Sequence, residues 1–114
     1  VTGCWKSVLV EKIPGTYVAA YPFGRETLVL NSDGSFSQKV EIPGEPPVTS
    51  SGTWTFDTKD SRIKFKGLVF VVDGFGHLKR DWRTSQPDFA SLPAEILWFK
   101  ITINSGAEYP YVKQ

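Results

Sequence analysis

The sequence predicts an all-β domain, either a single antiparallel barrel in a meander of seven or eight strands or a sandwich. Three observations predict it. Residues 51–73 (SGTWTFDTKDSRIKFKGLVFVVD) read as two long strands joined by a tight turn. In the first strand Trp54 and Phe56 point one way while Thr53, Thr55 and Asp57 point the other. In the second, Ile63 and Phe65 are apolar against Arg62, Lys64 and Lys66, the period of a strand with one buried and one wet face. Turn-forming residues also punctuate short alternating runs at close spacing along most of the chain. Aromatic residues make up 14%, with four Trp and eight Phe, which suits a β core built from large rings.

The elements follow in order. Residues 5–14 (WKSVLVEKIP) fit either a strand or a short helical turn, within an N-terminal segment of residues 1–14. Residues 15–21 (GTYVAAY) read as a strand ending at the Pro22-Phe23-Gly24 turn. Residues 25–31 (RETLVLN) give the next, with Leu28 and Leu30 on one face. The Asp33-Gly34 pair supplies the positive φ of a tight hairpin. Phe36, Val40 and Ile42 then alternate with Ser37, Lys39 and Glu41, and Gln38 falls on the apolar face. Residues 43–50 (PGEPPVTS) are too proline-rich to pair inside a sheet. After the central hairpin, which turns at residues 58–61, Leu68, Val69, Phe70, Val71 and Val72 are apolar on both faces. A loop, a terminus or a second chain must cover them. Residues 73–93 read as one long irregular loop, functional or capping, with a helical turn beginning near Ser91 and tolerating Pro93 early. Leu97, Phe99, Ile101 and Ile103 predict one further strand. A short last strand at 109–112 is placed at a sheet edge by Pro110.

Composition limits the function classes. At 114 residues the chain is one domain, long enough for a core without disulfide staples. Thirteen basic and 12 acidic residues leave a net charge of +1, which gives no electrostatic case for nucleic acid. No run approaches the roughly 18 apolar residues of a membrane span, so a soluble chain is expected. A single Cys permits no intramolecular disulfide, and the absence of Met leads us to expect a start removed upstream of Val1.

Val1-Thr2-Gly3-Cys4 resembles the lipobox of bacterial lipoproteins: an aliphatic residue, a small one, Gly, then Cys. The resemblance implies cleavage before Cys4 and diacylglycerol on its thiol. Trp5 stands where an Asp would resemble an inner-membrane retention signal, so the resemblance implies outer-membrane anchoring facing the periplasm. The other reading makes Cys4 a small buried hydrophobe in a first strand with Trp5, Val8 and Val10. Gly15-Thr16-Tyr17, the Asp33-Gly34 hairpin and Gly52-Thr53-Trp54 are together similar to small uncharacterised bacterial lipoproteins with lipocalin-like or avidin-like barrels. Lipocalins carry their G-x-W near the first strand, whereas here it opens at Gly52.

No enzyme motif is present. His77 is the one His, and neither a nucleophile elbow nor a glycine-rich oxyanion turn accompanies it. Cys4 and His77 do not make a zinc set, and Asn31-x-Asp33-Gly34 lacks the later ligands of a calcium loop. No metal or cofactor is expected, and a non-catalytic binding role is. In one version the barrel holds a small apolar molecule or lipid. Gln38 then acts as the polar fixture of a cavity, with Tyr17, Trp54 and Trp82 as further ligand-binding candidates. In the other, the chain is a protein-interaction module: an inhibitor, an immunity protein or an envelope assembly factor. It would use the basic-aromatic stretch His77, Lys79, Arg80, Trp82 and Arg83, with Trp82 or Trp98 exposed. Against both stands a solvated loop whose Trp82 plugs the barrel end and whose Arg83 pairs with Asp81 or Asp88. The doubly apolar run at 68–72 and the strand near Tyr109 are candidate dimer surfaces.

Overall fold

The computed structural model describes residues 10–73, 76–80, 82–84, 87–97 and 99–114. It is a closed antiparallel barrel of eight strands in simple meander order: β1 (Gly15–Tyr21), β2 (Gly24–Leu30), β3 (Ser35–Glu41), β4 (Val48–Asp57), β5 (Arg62–Leu68), β6 (Asp88–Leu97), β7 (Lys100–Ile103) and β8 (Tyr111–Lys113). β8 closes the barrel by pairing with both β7 and β1. The barrel alternative therefore holds over the sandwich. The last strand begins after Pro110 and is no edge, because a closed barrel has none.

Two ten-residue strands carry the closure. β4 pairs through Val48 to Thr53 with β3, and through Thr53 to Asp57 with β5. β6 likewise pairs through its first half with β5 and through its second with β7. At the handover in β4, a Cβ on Gly52 would overlap the Lys66 carbonyl oxygen, so glycine lets the two backbones approach. Opposite it, β5 bulges between Lys66 and Leu68 with Gly67 at φ 104°.

Inward positions fill the lower and middle barrel. Tyr17, Leu28, Leu30, Phe36, Trp54, Ile63, Phe65 and Ile103 form one buried cluster, with Phe36 and Phe65 edge-to-face at 5.4 Å. Ile13 closes the lower end, following a single 3-10 turn (Val10–Lys12), and the Tyr17 hydroxyl donates to its carbonyl at 2.6 Å. The upper end collects residues 22–23, 42–47, 69–73, 76–80, 82–84, 87 and 104–110.

Four expectations are corrected. The proline-rich loop ends at Pro47, because Val48, Thr49 and Ser50 open β4 and pair with Val40, Lys39 and Gln38 of β3. The irregular segment ends at residue 87, because β6 begins at Asp88. The expected helical turn at residues 91–95 is strand, with Ala94 buried. Pro93 fits because it sits where β5 pairing ends and β7 pairing begins, paired with Arg62 at the first position of β5. The single strand expected across residues 97–103 is a hairpin, with Leu97 paired to Lys100. Its tip residue Phe99 stands fully exposed at φ 66°.

Candidate functional site

The upper end of the barrel is built around side chains that point inward but are polar. On β2, Glu26 shares the inward face with Leu28 and Leu30; on β3, Gln38 shares it with Phe36 and Val40. Leu28 pairs with Gln38 and Glu26 with Val40, so Glu26 and Gln38 are diagonal neighbours on one face. Both are 1% exposed.

Gln38 makes every hydrogen bond its amide allows. Its Nε2 donates to Glu26 Oε2 at 2.6 Å and to the Val69 carbonyl at 2.7 Å. Its Oε1 accepts from the Ser50 hydroxyl at 2.8 Å and from the Val69 amide at 3.0 Å. The side chain thus receives both backbone groups of Val69 one residue after β5 ends, where they would otherwise be buried without partners.

Glu26 collects three donors. Tyr21 Oη donates to Oε1 at 2.8 Å, and Tyr111 Oη joins Gln38 on Oε2 at 2.6 Å. None of the three is a cation. Burial raises the Glu26 carboxyl above the usual carboxylate range, and the hydrogen bonds oppose that rise without cancelling it. Burial likewise raises the Tyr21 and Tyr111 phenols, helped by the adjacent carboxylate.

Beside this network lies a cavity of about 560 Å³. Glu26, Tyr21 and Tyr111 line it from the barrel. Phe70, Val71 and Val72 form a more apolar wall, and the loop between β7 and β8 contributes Glu108 and Tyr109. The wall is held by a local turn-back of the long loop: Val72 bridges to Leu78, the Lys79 amide donates to the Val71 carbonyl, and the Asp73 amide donates to the His77 carbonyl. Tyr21 and Tyr109 meet edge-on with centroids 5.4 Å apart. The run at 68–72 is covered largely from within the chain: Leu68, Val69 and Val71 are buried, and Phe70 is 38% exposed.

The residues singled out from sequence fall in several places. Gln38 sits behind Glu26, bonded to it, and does not line the cavity. Tyr17 and Trp54 are core, their polar atoms satisfied by the carbonyls of Ile13 and Asn31. Trp82 is 4% exposed and packs with Val40 and Val71 over the other side of the upper end, so it presents no ring to a partner. Arg83 stacks on that ring at 4.8 Å and pairs with Glu45 at 3.0 Å, tying the long loop to the proline-rich one rather than to Asp88. His77 and Arg80 are exposed and Lys79 half-buried, with His77 Nδ1 3.8 Å from Asp73. The basic-aromatic stretch is therefore divided between a buried clamp and a solvated turn. Asn31 and Asp33 shape a hairpin turn, Asp33 accepting from the Ser35 amide and hydroxyl. Cys4, Trp5, Asp81 and Trp98 lie outside the described residues. Among the described residues, no helix is long and apolar enough to cross a membrane.

Sequence reasoning missed Glu26. Its signal was the strand parity it shares with Leu28 and Leu30, hidden by its place near a strand start, where a charge reads as solvated. No family model, curated protein or solved structure matches the chain.

A carboxyl whose native pKa is raised holds its proton more tightly folded than unfolded. Its contribution is then complete below the unfolded value near 4.5 and is lost as pH rises through the native one. Urea denaturation across that range is expected to show stability falling with rising pH, and Glu26→Gln should flatten this component. An unchanged pH slope in the variant contradicts the buried placement of Glu26.

Proposed function

We propose that the protein is a non-catalytic binding module whose barrel accepts a small, largely apolar molecule or lipid-like fragment at its upper end. One observation carries the reading. The lower barrel is filled by side chains, yet the upper end keeps a hollow of about 560 Å³ that ends on a buried, hydrogen-bonded carboxyl. That volume falls within the range of small-molecule pockets, and an apolar wall with a few convergent polar groups is their usual chemistry. The buried carboxyl orients a guest, while Phe70, Val71 and Val72 shield it from water. The apolar body expected of the ligand from sequence is retained; the polar fixture it meets is Glu26 with its tyrosines.

The lipobox-like start completes the proposal. A diacylglyceryl group on Cys4 would tether the protein to the outer membrane facing the periplasm. The described chain enters the barrel at its lower end, opposite the cavity, which supports an orientation with the binding end away from the bilayer.

Binding is tested with the neutral fluorophore N-phenyl-1-naphthylamine. The wild-type protein should enhance and blue-shift its emission, and Ala107→Trp, which fills the cavity from the β7–β8 loop, should weaken uptake by about tenfold. Absent uptake, or uptake indifferent to that substitution, overturns the reading. Anchoring is tested by the intact mass of the Cys4 peptide from the full-length gene product expressed in a bacterial envelope. A diacylglyceryl increment on a peptide beginning at Cys4 is expected, and an unmodified Cys4 on a peptide continuing upstream overturns the anchor.

A further inference from the structure

We infer that the ligand of the upper cavity carries a positively charged nitrogen, an organic ammonium group seated against Glu26 among tyrosine rings. The inference rests on the binding reading above and adds the ligand's charge to it.

The lining is one-sided. Glu26, Asp73 and Glu108 contribute carboxyl groups, and among the described residues no Lys, Arg or His lines the cavity. Composition does not force this, since the chain holds 13 basic residues against 12 acidic ones. His77, whose Nδ1 is 3.8 Å from Asp73, has a side chain 80% exposed and is not among the described lining residues.

The network behind Glu26 has the same bias. Tyr21, Tyr111 and Gln38 all donate to the carboxyl, an arrangement suited to a carboxylate. A protonated Glu26 would need one donor to turn round and accept. Gln38 Nε2 has no lone pair to offer, its other hydrogen being committed to the Val69 carbonyl, so that turn falls to a tyrosine hydroxyl. Burial meanwhile opposes the charge that these donors favour. No side chain among the described partners of Glu26 supplies a counter-charge. An ammonium group entering the cavity would.

The walls suit the same guest. Phe70, Tyr21, Tyr109 and Tyr111 bring four aromatic rings to one hollow, with Tyr21 and Tyr109 set at 81° to form a corner. Ring faces carry negative potential and attract desolvated ammonium groups, most strongly where water is excluded. An anionic guest would meet the Glu26 and Glu108 carboxyl groups with no Lys, Arg or His among the described lining residues, so the cavity discriminates against it.

A matched series of three probes tests the inference on the whole chain: 2-phenylethylammonium, 2-phenylethanol and phenylacetate, titrated by two-dimensional amide NMR. The ammonium should bind about tenfold or more tighter than the alcohol, with shifts at Tyr21, Val72 and Tyr109, and phenylacetate should not bind. Glu26→Gln should bring the ammonium to within about threefold of the alcohol measured on the same variant. Glu108→Gln, at an exposed rim position that cannot disturb the core, should reduce the ammonium's advantage by about twofold, so the test survives a folding defect in the first variant. Equal affinity for ammonium and alcohol, or an ammonium advantage indifferent to both substitutions, overturns the charge inference while the cavity reading stands. Failure of all three probes to bind overturns both.

Discussion

The four hydrogen bonds of the Gln38 amide set the arrangement of the barrel's upper end. Val69 is where the chain leaves β5 and crosses toward the interior, and no strand is there to receive its backbone amide and carbonyl. Gln38 accepts one and donates to the other, as a neighbouring strand would. Its remaining hydrogen fixes Glu26, and its remaining lone pair takes the Ser50 hydroxyl. Leaving a buried donor or acceptor unmet costs on the order of 1–3 kcal/mol each, so a single amide keeps the crossing chain, the carboxyl and the β4 hydroxyl in one fixed geometry.

From that clamp follow both halves of the upper end. On one side Trp82 packs over Val40 and Val71, and Arg83, stacked on its ring, reaches Glu45 in the proline-rich loop. On the other, Phe70 to Asp73 rise as a wall and leave the cavity open onto Glu26. The long loop is thus plug and wall at once. Its basic residues, conspicuous in sequence, serve mainly to hold it down or lie in solvent, while the chemistry gathers on acidic and phenolic groups from β1, β2 and β8.

Much of this fold was legible because period-two alternation and turn residues leave few alternatives in β1 to β5. The central hairpin, the Asp33-Gly34 turn and the inward face of Gln38 were all readable. The β6–β7 hairpin was not. Its tip carries no Gly, Asn or Asp, Phe99 takes a positive φ that bulky residues rarely adopt, and the apolar alternation of residues 97–103 continues straight through the turn. Pro93 likewise suited the first turn of a helix, and the change of partner from β5 to β7 at that position is what makes it tolerable in a strand. Glu26 was hidden for a different reason. A carboxylate on an inward position becomes intelligible only when Tyr21, Gln38 and Tyr111 converge on it, and Tyr111 lies 85 residues away in sequence.

The most direct test of this account is the hydrogen-exchange rate of the Val69 amide. Val69 lies outside every strand, in the first residue of a long loop. If Gln38 holds it as a strand would, its amide should exchange as slowly as those of Ile63 and Phe65 in the barrel wall. Exchange at the rate of an exposed loop amide would contradict the clamp, and with it the fixed floor on which the cavity depends.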